Sequence, residues 1–163
     1  MSAPTLFEPE RPAATSAAGP RPYVIELPDR LSLLNSNQRM NKHERAALTR
    51  SIRAAASAAV EECPSLLDVR DAVRPNPVFP RAHILGVLHP HSTGRRDPAN
   101  WYPSFKAAID GLVDAGLFAD DDHTRVLGPD MRLGARRGRD QIVLVVRALA
   151  PGEDPLGYRG VGR

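Results

Sequence analysis

Apolar and polar positions alternate, cluster and recur in ways that divide the chain into successive elements. Tyr23-Val24-Ile25-Glu26-Leu27-Pro28 is a short β-rich run stopped by proline, and the turn-forming Asn35-Ser36-Asn37 follows it. From Asn41 the period becomes helical. Asn41 with Glu44 three residues on makes a capping box, and Leu48, Ile52, Ala55, Ala56 and Ala59 share one side of a helix running to about Glu62. Its other side carries Arg45, Arg50 and Arg53, which fits a solvated charged face better than a DNA-facing stripe. Pro64, Pro75, Pro77 and Pro80 then restrict regular structure to a short helical turn around Leu66 to Val73. A second strand is expected from about Arg81 to His89. Pro103 suits the first turn of a second helix and Gly116 the residue past its end, with Phe105, Ile109 and Leu112 at core-facing intervals. The apolar run Ile142-Val143-Leu144-Val145-Val146 within Asp140 to Leu149 predicts a central strand buried on both faces. Thr124 to Leu133 is expected to pair with it as an edge strand, through a basic hairpin loop Arg136-Arg137-Gly138-Arg139. The order β-α-β-α-β-β predicts an α+β fold, a mixed sheet with helices packed on it.

Composition adds boundaries. At 163 residues and 42% hydrophobic, the chain can bury one core, so a single small domain is expected over residues 23–150. Residues 1–22 hold Pro4, Pro9, Pro12, Pro20 and Pro22 among Ala, Ser and Thr, which predicts a disordered segment, and the Gly-rich residues 151–163 read as a flexible tail. The net charge of +3 is too small to identify a partner, although basic positions comprise 20 Arg against 2 Lys. Cys63 stands alone and forms no internal disulfide, no stretch approaches the length of a membrane span, and the N-terminus lacks a signal-peptide core. The expectation is a cytoplasmic protein with no membrane partner. His89 and His91 would share a face of a continuing strand, but Pro90 between them favours a loop over a metal site.

Most of the chemistry lies between Arg95 and Gly134. Carboxylates gathered beside Arg and Lys suit a place where a divalent cation and a phosphodiester meet, because each acid can bind the metal that the phosphate also needs. Lys106, Asp110 and Asp114 recur at i, i+4 on the second helix, a spacing that an ordinary surface pair also shows. Three adjacent carboxylates, Asp120-Asp121-Asp122, repel one another by roughly 1 kcal/mol per close pair in water. A divalent cation would offset that repulsion, and so would solvation in an open turn. The residues alone leave both readings open.

Together these pieces resemble the RusA family of Holliday-junction resolvases: Asp97 with Asn100 before the helix, the run Lys106-Ala107-Ala108-Ile109-Asp110-Gly111-Leu112-Val113-Asp114-Ala115-Gly116, and Asp120-Asp121 after it. The resemblance implies a RusA-like domain that acts as a homodimer and nicks opposed strands of a four-way DNA junction with Mg²⁺, Mn²⁺ being a substitute. It makes Asp97, Lys106 and Asp121 the catalytic set and Asp97, Asp121, Asp120 and Asn100 the metal ligands. It assigns backbone phosphates to Arg95, Arg96, Arg136, Arg137 and Arg139. Members of the family are often carried by phages and prophages. The family typically carries D-x-D-N before the helix, whereas this chain reads Asp97-Pro98-Ala99-Asn100, and about three additional residues precede Lys106. Asp120 or Asp122 is then the candidate for the missing carboxylate, and a catalytically silent junction-binding protein is the alternative.

Overall fold

A computed structural model describes residues 21–156. The expected disorder of residues 1–22 therefore falls almost wholly outside the described residues, as does the tail beyond residue 156. The elements are β1 (Tyr23–Glu26), α1 (Lys42–Glu61), α2 (Pro64–Val73), β2 (Ala82–His89), a 3₁₀ turn (Pro98–Trp101), α3 (Tyr102–Asp114), β3 (Val126–Leu133) and β4 (Gln141–Ala148). The fold is α+β, with three helices and one mixed four-stranded sheet in the order β1-β4-β2-β3.

Local signals account for most of these elements. The capping box forms at α1, where the Asn41 side chain accepts from the Glu44 amide at 2.9 Å and Glu44 accepts from the Asn41 amide at 3.2 Å. Ile52, Ala56 and Val60 on its buried face meet α3, whose Phe105, Ala108, Ile109 and Leu112 are almost fully buried. Ile84 and Leu88 of β2 and Ile142, Leu144 and Val146 of β4 complete the core beneath the helices. Burial alternates along β2, so His83, Leu85 and Val87 face away from that core.

Two expectations give way. The segment after Pro64 is a ten-residue helix, not a short turn. Pro64 occupies the first helical position, where a missing N–H costs nothing, and the later prolines lie beyond its end. The second correction concerns β3, which pairs with β2 in parallel rather than with β4 through a hairpin. Helix α3 is the crossover that returns the chain to the open side of β2. β4, apolar on both faces, takes the central place between β1 and β2, antiparallel to both. The basic segment Arg136-Arg137-Gly138-Arg139 therefore crosses the end of β2, held there by Gly134 N–H to Leu88 O and Arg137 N–H to Pro90 O, each 2.9 Å.

Candidate functional site

Lys106 lies in the second turn of α3, with its side chain 41% exposed. Its ammonium donates to Asp110 Oδ1, one turn along the helix, at 2.5 Å, and also meets Asp121 Oδ2. Asp121 is brought back by the chain reversal after α3. Gly116 takes a left-handed conformation (φ 81°), and Leu117 N–H bonds Leu112 O at 3.0 Å, closing the helix end. Leu117 and Phe118 then sink into the core, and the link runs back along the helix.

The electrostatics follow from that contact. Burial tends to lower the Lys106 pKa, but the hydrogen bonds from Lys106 to Asp110 and Asp121 outweigh it and leave it raised. The Lys106 ammonium likewise holds the Asp121 carboxyl below its ordinary value, against the opposing effect of partial burial. The acidic run itself splits three ways. Asp120 is exposed and accepts from the Asp121 amide at 2.8 Å. Asp122 turns toward Thr124, whose amide and hydroxyl it accepts and which lowers its pKa, and toward Arg125 at 3.3 Å. Mutual repulsion among the three acids is thus relieved by divergence and by separate donors.

Asp97 is engaged within its own turn. Its carboxylate caps the 3₁₀ turn by accepting from Ala99 N–H at 3.0 Å. It lines an open cleft of about 710 Å³ together with Asn100, Arg95, Arg96 and Arg139. Five of the residues singled out by resemblance therefore share one cleft. Asn35, Asn37 and Gln38 line it too, in a turn anchored by Ser36 N–H to Asn100 O at 2.7 Å and by the buried Ser104, whose hydroxyl bonds both the amide and the carbonyl of Leu34. Asn35 and Gln38 accept through their side-chain oxygens from Asn37 N–H and Asn35 N–H, which leaves their amide nitrogens as donors.

The basic residues differ in freedom. Arg95 and Arg139 are exposed at the cleft, and Arg136 is exposed on the crossing segment. Arg96 is held by Asp140 at 3.2 Å and Ser92 at 2.9 Å, and stacks over Trp101 at 5.4 Å. Arg137 turns inward to Glu26 at 3.0 Å and to Gln141. His91 joins the Arg96 cluster by donating its amide to Asp140, while His89 bonds Ala135 O. Arg53 of α1 pairs with Asp114, so Asp114 does not share the Lys106 cluster.

Among the described residues, no three His, Cys, Asp or Glu side chains form a group able to hold a metal ion. The donors nonetheless fit Mg²⁺ in kind, since that ion takes oxygen ligands, keeps several waters and is commonly bound by one or two carboxylates plus substrate phosphate. Asp110 shows in sequence only the i, i+4 spacing of an ordinary surface pair, and Asn35 to Gln38 only the composition of a turn. The excess of amides in that turn was the available signal. Among known proteins, no family model and no curated protein matches the chain. No helix among the described residues is long and apolar enough to cross a membrane.

Proposed function

We propose that this chain is a divalent-cation-dependent endonuclease that nicks four-way DNA junctions as a homodimer, in the manner of the RusA family it resembles. The observation that carries this reading is the meeting of Lys106 with Asp121, two residues fifteen positions apart that the resemblance had paired for chemistry. A polar cleft with exposed Arg95 and Arg139 supports it, because guanidinium groups on an open groove suit backbone phosphates. Asp121 would hold Mg²⁺, which supplies Lewis-acid polarisation of a phosphate oxygen and an activated water. Lys106 then offers a compact positive charge to the oxygen on which negative charge develops. Arg95 and Arg139 orient the strand. Two active sites are needed to cut two opposed strands, and two-fold pairing is the commonest way to supply them. DNA as substrate goes with a cytoplasmic setting.

The test is incubation of purified protein with end-labelled synthetic four-way junctions and with linear duplex of the same sequence. Nicking of the junction in Mg²⁺ or Mn²⁺, its absence in EDTA, and its loss in Asp121→Asn are expected. Equal cutting of duplex, or cutting in EDTA, overturns the proposal. Tight junction binding without cutting would favour the catalytically silent reading, which the Ala99 position and the capping role of Asp97 support.

A further inference from the structure

We propose that Asp110 is a positioning residue that anchors the Lys106 ammonium in its working place, an inference that rests on the nuclease reading above. Lys106 carries a flexible four-carbon stem, and a point charge on such a stem acts on one oxygen only if its position is held. Two carboxylates hold it, Asp110 Oδ1 at 2.5 Å and Asp121 Oδ2. Their duties differ. Asp121 comes from a loop and is the carboxylate that would also serve the cation, so its hold on the ammonium is shared. Asp110 comes from the same helix as Lys106, one turn on, and the pair moves as one body.

That helix is firmly seated where Asp110 leaves it. Ile109 and Gly111 on either side are buried, and Gly111 lies so close to the Arg53 carbonyl of α1 that a Cβ there would fall 2.2 Å from it. Helix stability gains little from the pair. A lysine preceding its acid at i, i+4 is the less favourable order with respect to the helix dipole. The buried face already seats α3. The acid is therefore best explained by what it does to the ammonium, one of only two lysine ammonium groups in the chain.

Two measurements test this. In junction cleavage, Asp110→Asn is expected to lower kcat by about ten- to a hundred-fold with KM and junction affinity little changed, as for a misplaced catalytic group. Asp110→Glu should recover part of the loss, and Asp110→Asn should have no further effect in a Lys106→Ala background. Independently, ¹⁵N-lysine labelling of the metal-free protein should give a slowly exchanging ammonium resonance for Lys106, assigned by its loss in Lys106→Ala, and Asp110→Asn should broaden or abolish it at unchanged Tm. An unchanged ammonium signal, wild-type kcat in Asp110→Asn, or additive losses in the double variant overturn the inference. A wild-type protein that shows the anchored ammonium but cuts no junction overturns the nuclease reading and the catalytic role of the anchor with it.

Discussion

Single side chains in this protein do work that their residue type does not announce. Ser104 is a fully buried hydroxyl that closes a two-way bridge to the Leu34 amide and carbonyl, at 2.6 and 2.8 Å. Removing it strands two buried backbone groups, and each unsatisfied group costs about 1–3 kcal/mol. Ser104→Ala is therefore expected to destabilise the domain by about 2–6 kcal/mol in urea unfolding, and to loosen the Asn35–Gln38 turn at the cleft enough to raise hydrogen exchange there. Asp140 is a second such residue. Burial works to raise its pKa, but donation from His91 and the charge of Arg96 prevail and hold it below the ordinary value. A carboxyl depressed in the folded state contributes stability that is present above its unfolded pKa and lost as pH falls through the folded one. Asp140→Asn should lower Tm at pH 7, and its gap to the wild type should narrow as pH falls below about 4, where the unfolded-state carboxyl protonates, and close as pH passes through the lower folded-state value.

Among the elements, the decisive contact is that between α1 and α3. A glycine in a helix interior is ordinarily a weakness, and replacing it with alanine gains about 1 kcal/mol from propensity alone. Gly111 reverses that sign. A methyl group there would meet the Arg53 carbonyl at 2.2 Å and the Ala56 side chain at 2.8 Å, so the two helices must separate. Overpacking of this sort costs about 1–3 kcal/mol, and Gly111→Ala is expected to lose at least the upper part of that range in chemical denaturation. Because α3 also carries Lys106 and Asp110, the same substitution should reduce any junction cleavage more than it reduces junction binding. The reversal after α3 matters for the same reason: it brings Asp121 to Lys106.

For the molecule as a whole, charge is arranged more tellingly than it is summed. Many of the arginines close ion pairs that hold elements together, as Arg53 does with Asp114, Arg70 with Glu61 and Arg147 with Glu153. The exposed guanidinium groups of Arg95 and Arg139 gather instead at the cleft. If they hold phosphates, Arg95→Ala and Arg139→Ala should each weaken junction binding and reduce the slope of log affinity against log salt by about 0.9. Arg137→Ala should leave that slope unchanged, because its guanidinium is turned to Glu26 and Gln141. Fluorescence anisotropy over a salt series distinguishes the two outcomes.

The amino-acid pattern was sufficient for whatever is set by neighbours along the chain. The capping box at Asn41, the entry and exit of α3 at Pro103 and Gly116, and the apolar run of β4 are local signals, and each appears where the periodicity predicts. Pro64 misled only because a proline can open a helix as well as break one. Which strands pair was a different matter, since β3 joins β2 through a crossover whose return point depends on how α3 packs, not on the residues of β3. The same holds for the site. Lys106, Asp121 and the cleft residues were each conspicuous in sequence, yet the convergence of Asp110 and Asp121 on one ammonium required the chain to double back after Gly116. Nor did adjacency in sequence keep Asp120, Asp121 and Asp122 together, because a turn points successive side chains in different directions and gives each its own donor. Side-chain identity and local period are written in the chain itself, whereas distances between residues far apart along it are set only by how the buried faces pack.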